Sequence, residues 1–89
     1  MDRDTFKNTN ILVVGGAGFV GSNLVLKLLE MDPSQVVVVD NLLSSEASNV
    51  PADSRVTFIC GSITDDSIRR NLPDNLDYAF HVACAHGNQ

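Results

Sequence analysis

The sequence predicts an α/β fold built on a parallel sheet. Four short apolar runs rich in Val, Ile and Phe have the length and composition of strands, and a helical pattern or a loop separates each run from the next. The order strand, helix, strand, loop, strand, helix, strand is typical of parallel sheets with crossover connections. Right-handed crossovers then predict the spatial order 3-2-1-4, with the first strand in the centre. The predicted strands are residues 11–14, 35–39, 55–60 and 76–82.

The first strand ends at a glycine-rich turn that leads directly into a helix. Gly15, Gly18 and Gly21 are spaced three residues apart, and Gly16 adds the pattern G-x-G-x-x-G. This arrangement is typical of a turn that holds a dinucleotide pyrophosphate at a helix N-terminus. Gly15 can adopt a backbone conformation that other residues avoid, Gly18 leaves room for the cofactor, and Gly21 allows close packing of helix on strand. A glycine-rich turn without a ligand is the competing interpretation.

The segment after the turn supports the dinucleotide interpretation. Pro33 ends a helical pattern, and the second strand follows and runs into Asp40. Asp40 lies 19 positions after Gly21, and an acid at about this separation accepts hydrogen bonds from the adenosine ribose hydroxyls. Its carboxylate would repel a 2′-phosphate, and residues 41–45 contain no Arg or Lys to neutralise one. We therefore expect NAD rather than NADP. The apolar positions that recur at helical spacing are Val20, Leu24, Leu28 and Met31.

The third and fourth strands flank a second, shorter helix. Residues 41–55 predict a loop or a short irregular helix before the third strand. Thr64 or Asp65 can cap a helix over about residues 65–71, which Pro73 ends.

These elements form only the first half of a doubly wound, Rossmann-type sheet. We divide the chain into a polar N-terminal extension, residues 1–9, and a partial dinucleotide-binding domain, residues 10–89. Parallel sheets need both faces covered, and the fourth strand should pair with a fifth. We therefore expect the chain to be a fragment, with the second half of the sheet and a substrate domain lying outside it.

Composition disfavours several classes of function. The chain has 89 residues, 44% of them hydrophobic, and a net charge of −5. An acidic chain without a basic cluster is not expected to bind nucleic acid or an anionic membrane. Residues 1–9 lack the apolar core of a signal peptide, and no apolar run approaches a membrane span, so we expect a cytoplasmic protein. Cys60 and Cys84 form no C-x-x-C pair, and we expect both to be small buried residues rather than metal ligands.

Four segments carry a more specific signal. They are Gly-Gly-Ala-Gly-Phe-Val-Gly at 15–21, Asp-Asn-Leu at 40–42, Gly-Ser-Ile at 61–63 and His-Val-Ala-Cys at 81–84. Together they resemble, in order, the glycine turn, the acid-Asn-Leu sequence, the adenine-contacting Gly-Asp-Ile/Leu segment and the His-Leu-Ala-Ala segment of one family. That family is the extended short-chain dehydrogenase/reductase superfamily, in its NAD-dependent nucleotide-sugar epimerase and dehydratase branch.

The resemblance implies a set of cofactor-binding residues and some departures from the family pattern. Val14 stands where many members have Thr, and Cys84 replaces a smaller Ala or Gly. Ser62 replaces the family's Asp, so it can accept a hydrogen bond from the adenine amino group without a charge. His86 falls where some epimerases have a Lys that reaches the cofactor ribose, and a solvated loop histidine is the competing interpretation. The implied cofactor-binding residues are Gly15, Gly18, Phe19, Val20, Gly21, Asp40, Asn41, Leu42, Ser44, Ser45, Ser62, Ile63, Val82, Ala83, Cys84 and His86.

The leading hypothesis is the NAD-binding N-terminal portion of a nucleotide-sugar epimerase or dehydratase. The family's catalytic Tyr-x-x-x-Lys is missing here, because Tyr78 is the sole tyrosine and Val82 follows it by four residues. We therefore expect no catalytic residue in this chain, which alone should be inactive. His81 has the chemistry of a general base, but the resemblance makes it structural.

Two other functions remain as alternatives. One is a non-catalytic dinucleotide-sensing or binding module of the same fold. The other is an S-adenosylmethionine methyltransferase, which the wide glycine spacing and the His-Val-Ala-Cys segment disfavour. The resemblance implies a nucleotide sugar as the substrate of the complete protein and leaves homodimer formation open.

Overall fold

The computed structural model describes residues 3–42 and 46–82. Its regular elements alternate as the sequence predicts, with two short 3-10 helices added at Arg3–Phe6 and Ala47–Asn49. The strands are β1 (Asn10–Val14), β2 (Gln35–Asp40), β3 (Val56–Cys60) and β4 (Tyr78–His81), and the helices are α1 (Phe19–Leu29) and α2 (Asp66–Arg70).

The four strands form one parallel sheet in the order β3-β2-β1-β4, which confirms the predicted topology. Leu12 of β1 lies beside Val37 of β2 on one side and beside Ala79 of β4 on the other. The two central strands are buried almost throughout, with Val36 to Val39 at most 1% exposed. Near-continuous apolar sequence is what a strand covered on both faces requires. Because all four strands are parallel, their carboxyl ends lie along one edge of the sheet.

Helix α1 covers one face of the sheet through residues that differ from the predicted stripe. Its buried residues are Gly21, Val25, Leu28 and Leu29, at the i, i+4, i+7, i+8 spacing of a core-facing helix. Val20 is 64% exposed. The stripe is rotated because Gly21, without a side chain, lets the helix backbone lie against the glycine turn at Gly15 and Gly16.

The opposite face packs against α2 and the loops around it. Leu12, Val37 and Val39 form its buried centre, and partly buried residues, including Ile63 and Ile68, pack on them. Asp65 caps α2, as expected, by accepting hydrogen bonds from the backbone N–H and hydroxyl of Ser67. The Ser67 hydroxyl and N–H hold the pKa of Asp65 below its ordinary value.

The N-terminal segment contributes to the core through Phe6. The sequence predicts a polar extension over residues 1–9, yet Phe6 within it is 2% exposed. Its ring lies 4.9 Å from that of Tyr78, edge to face, and 5.9 Å from that of Phe80. A lone aromatic in a polar run has no periodicity that would reveal this packing. Phe6 therefore belongs with the folded domain.

The expectation that Cys60 is buried is wrong. Cys60 is an exposed free cysteine at the end of β3, and β3 is the outer strand of the described sheet. One flank of Cys60 therefore has no strand beside it. Cys84 lies outside the described residues.

Among the described residues, no helix combines the length and hydropathy needed to cross a membrane.

Candidate functional site

The glycine turn at the carboxyl end of β1 has the predicted left-handed backbone at its first residue. Gly15 has φ of 89°, a conformation that residues with a Cβ rarely adopt. Its N–H donates a 2.7 Å hydrogen bond to the carbonyl of Val39, which ties the turn to β2. A Cβ added at Gly15 would overlap the carbonyl oxygen of Val82 at the end of β4. The turn therefore fits only a glycine here, wedged between two neighbouring strand ends.

The other glycines of the turn divide into two kinds. A Cβ at Gly21 would lie 2.8 Å from the Cα of Gly16, and a Cβ at Gly16 would lie 2.5 Å from Cγ1 of Val38. Both positions need glycine because of close packing within the protein. Among the described residues, a Cβ at Gly18 would meet only the Gly15 carbonyl oxygen, at 3.6 Å. The protein itself does not need a glycine at position 18, so the open space there is available to a ligand.

A pocket of about 110 Å³ opens at this turn. It lies at the N-terminus of α1, where the first N–H groups of a helix have no partner within the helix. The first turn of α1 carries no acidic residue, so the positive end of the helix dipole favours an anion. Phe19 is 82% exposed at the rim. The residues that line the pocket are Gly15, Gly18, Phe19, Val20, Gly21 and Val82, all six of them in the predicted cofactor set.

Asp40 is bonded directly to the glycine turn. Its side chain is in the core, with the residue 9% exposed. One carboxylate oxygen accepts a 3.0 Å hydrogen bond from the N–H of Ala17, and the other accepts a 2.8 Å bond from the N–H of Leu42. Leu42 has φ of 62°, and the bond to Asp40 stabilises that unfavourable backbone. The predicted ribose-binding acid thus also fixes the turns on both sides of it.

Asn49 is a site residue that sequence reasoning missed. Its Nδ2 donates a 3.0 Å hydrogen bond to the carbonyl of Ala17, the same residue whose N–H is bound by Asp40. Both backbone groups of Ala17 are therefore held by side chains from β2 and from the loop after it. Nothing in the local sequence signals this contact, because 32 residues separate the two partners.

Ser62 and Ile63 follow β3 at the same edge of the sheet, two strands away from the glycine turn. The N–H of Gly61 donates a 3.0 Å hydrogen bond to the carbonyl of Asp40, so this segment begins beside the predicted ribose acid. Ile63 packs against the core face centred on Val37, which anchors the segment. The Ser62 hydroxyl lies 2.7 Å from the Thr64 hydroxyl.

The other predicted site residues are exposed or lie outside the described residues. Asn41 is exposed next to Asp40. His81 is exposed in β4 beside Val14, and its side chain makes no hydrogen bond or ion pair to the rest of the described chain. Within residues 3–42 and 46–82, no three His, Cys, Asp or Glu side chains are grouped to hold a metal ion. The predicted residues that lie outside the described ranges are Ser44, Ser45, Ala83, Cys84 and His86.

The sequence matches one family model over most of its length. Residues 11–89 match the NAD dependent epimerase/dehydratase family. The UDP-glucose 4-epimerase of Halalkalibacterium halodurans is 44% identical over 75 residues, which cover 82% of this chain and 21% of the relative. The dTDP-glucose 4,6-dehydratase of Streptomyces antibioticus is 38% identical over 81 residues, which cover 83% of this chain and 24% of the relative. The chain thus spans less than a quarter of the length of these relatives.

Solved structures show the same relationship. The Bordetella bronchiseptica enzyme WbmF in complex with NAD+ is 59% identical and superposes with a TM-score of 0.83, over 88% of this chain and 24% of that one. The same enzyme with NAD+ and UDP gives a TM-score of 0.84 at 57% identity, over 90% of this chain and 24% of that one.

Proposed function

The chain belongs to the NAD-dependent epimerase/dehydratase family, and on that premise we propose that it binds NAD and forms the N-terminal portion of a nucleotide-sugar epimerase or dehydratase. The observation that carries the proposal is the pocket at the glycine turn. It lies at a helix N-terminus, and Gly18, the glycine of the turn whose Cβ would make no close contact with the described residues, faces open space. Relatives that act on UDP-glucose and dTDP-glucose support the substrate class.

The residues of this chain bind and orient the cofactor. The N–H groups at the start of α1 would hold the pyrophosphate, since they point out of the helix end and are not paired within it. Asp40 would accept hydrogen bonds from the adenosine ribose, because a carboxylate offers about four acceptor sites and can serve the backbone and a ligand together. Its negative charge would exclude the 2′-phosphate of NADP.

The catalytic chemistry of the complete enzyme would need residues other than the cofactor-binding residues of this chain. Bound NAD supplies a hydride acceptor for transient oxidation of a sugar. This chain contains no Tyr-x-x-x-Lys, so we propose that the proton transfer to and from the sugar belongs to another segment and that these 89 residues alone are inactive. Epimerisation and dehydration are both compatible with the cofactor site. Cytoplasmic localisation, homodimer formation and the absence of nucleic-acid or membrane partners stay predictions.

Calorimetric titration tests the proposal directly. Purified full-length protein is titrated with NAD, NADP and S-adenosylmethionine, and Gly18→Val serves as a variant whose pocket is filled. We expect NAD to bind and the variant to lose at least about tenfold in affinity, or 1.4 kcal/mol. Binding of S-adenosylmethionine in place of NAD would contradict the proposal. Turnover assays with UDP-glucose and dTDP-glucose then separate the enzyme from a dinucleotide sensor, which would bind NAD without converting either sugar.

A further inference from the structure

The order of strands at the carboxyl edge of the sheet places the base of a bound dinucleotide beside Ser62. The glycine turn follows β1, Asp40 ends β2, and Ser62 follows β3, and these strands are neighbours in that order. A nucleotide carries phosphate, ribose and base in the same sequence. Adjacent strands lie about 4.8 Å apart, so phosphate at β1 and ribose at β2 direct the base toward the end of β3. The side chains exposed there would contact the base of a bound dinucleotide.

Two hydroxyl groups occupy this position. Ser62 Oγ accepts a 3.2 Å hydrogen bond from the backbone N–H of Thr64 and lies 2.7 Å from Thr64 Oγ1, a distance at which either hydroxyl can donate to the other. A hydroxyl has one donor and two acceptor sites. When Ser62 donates to Thr64, one acceptor site of Ser62 stays available to a ligand. When Thr64 donates to Ser62, both acceptor sites are filled and the Ser62 O–H becomes available as a donor.

We propose that the Ser62–Thr64 hydroxyl pair makes the base subsite tolerant of both 6-amino and 6-oxo purines, with Thr64 as an additional specificity-determining residue. The pair accepts from the exocyclic amino group of adenine in one orientation and donates to the 6-oxo group of hypoxanthine in the other. A carboxylate at the same place accepts only, so it discriminates against the oxo group. This inference rests on the proposed NAD-binding function and specifies its adenine subsite.

The wild-type full-length protein provides the first test. Its dissociation constants for NAD and for nicotinamide hypoxanthine dinucleotide are measured by calorimetry under one set of conditions. We expect the two values to agree within about threefold, because each ligand finds its complementary orientation of the pair. A preference for NAD of about thirtyfold or more would overturn the inference while leaving NAD binding intact. Failure to bind either dinucleotide would overturn the proposed function as well, so the two failures are distinguishable.

Variants test the role of each hydroxyl. Ser62→Asp replaces a hydroxyl that can donate or accept with a carboxylate that only accepts. It should raise the preference for NAD over the hypoxanthine dinucleotide by about tenfold. Ser34→Asp adds the same charge at an exposed position that precedes β2, at the opposite edge of the sheet, and should leave the ratio unchanged. Thr64→Val removes the acceptor to which the Ser62 O–H donates in the adenine-bound orientation. The ratio of the two dissociation constants should therefore shift severalfold in favour of the hypoxanthine dinucleotide. An unchanged ratio in both Ser62→Asp and Thr64→Val would refute the assignment.

Discussion

Asp40 and Ala17 are joined by a 3.0 Å hydrogen bond from the backbone N–H of Ala17 to the buried carboxylate. The bond links the end of β2 to the glycine turn after β1, across 23 residues of sequence. The acid predicted to recognise the ribose is therefore also a structural support of the turn predicted to hold the pyrophosphate. Substitutions at Asp40 should affect stability and cofactor choice separately, and each effect can be measured.

The first prediction concerns stability. In Asp40→Asn, the side-chain oxygen can accept from only one of the two backbone N–H groups, that of Ala17 or that of Leu42. The amide NH2 then faces the remaining N–H, donor against donor. We expect a loss of about 1–3 kcal/mol in the free energy of unfolding, the usual cost of an unsatisfied buried group. Urea unfolding of the variant and of wild type at neutral pH measures it. Equal stability would show that these two bonds contribute nothing to the folded state.

The second prediction concerns cofactor choice. Asp40→Asn combined with Asn41→Arg removes the repulsive charge and adds a partner for a 2′-phosphate, so the preference for NAD over NADP should relax by at least about tenfold. The single variant Asn41→Arg keeps the acid and is the matched control, which should still prefer NAD. Calorimetry with both cofactors gives the ratio. Wild-type protein that binds NADP as tightly as NAD would show that Asp40 does not exclude the phosphate.

The third prediction separates two glycines of the turn. Gly18→Val should cost about 1 kcal/mol in the free energy of unfolding, because Val is a poorer helix N-cap than Gly although its Cβ would meet no close contact, and it should weaken NAD binding at least about tenfold. Gly21→Val should destabilise the fold by about 3 kcal/mol or more, since its side chain would run into the backbone of Gly15 and Gly16. Thermal unfolding and NAD titration of both variants provide the comparison. Undiminished affinity in Gly18→Val would place the phosphates elsewhere.

The fourth prediction concerns Asn49, which holds the carbonyl of Ala17. Asn49→Ala should cost about 1 kcal/mol of stability, the typical net value of one hydrogen bond. It should also weaken binding of ADP more than binding of adenosine, because the contact orients the glycine turn rather than the ribose end of the site. Asn71→Ala, at an exposed position after α2, is the control. Equal losses for the two ligands would argue against a specific effect on the pyrophosphate.

The fifth prediction is a pH dependence. The Arg55 guanidinium, hydrogen-bonded to the carboxylate, lowers the pKa of Asp53 from 3.8 to about 2. Arg55 also donates a 3.1 Å hydrogen bond to the carbonyl of Leu29 at the end of α1. Because the pKa is depressed in the folded state, the carboxylate stabilises the fold above pH 3.8, and this contribution is lost as the pH falls toward about 2.

Asp53→Asn should therefore lose stability at pH 5 and lose little at pH 2. Urea midpoints at the two pH values measure the difference. Asp74→Asn removes an acid that forms no ion pair with the described residues, and its effect should not follow this pattern. A deficit in Asp53→Asn that is as large at pH 2 as at pH 5 would mean that the ion pair is not its cause.

Much of the fold was predictable because its signals are local. Each strand is a short apolar run bounded by turn residues, and the handedness of crossovers then orders the strands without further information. Strand β3 is one residue shorter than predicted and β4 three residues shorter. The exposed position of Cys60 and the exposure of Val20 were not predictable, since both depend on which neighbour covers a given side chain.

The sequence by itself determined the parallel sheet, its strand order and the position of the glycine turn, because glycine spacing and apolar periodicity are properties of contiguous residues. The tertiary structure alone decided which glycines of the turn serve packing and which borders open space, and that Phe6 completes the core. It also decided that Asp40 and Asn49 hold the two backbone groups of Ala17. These relationships join residues 23 and 32 positions apart, and only the closure of the chain into a sheet brings such partners within hydrogen-bond distance.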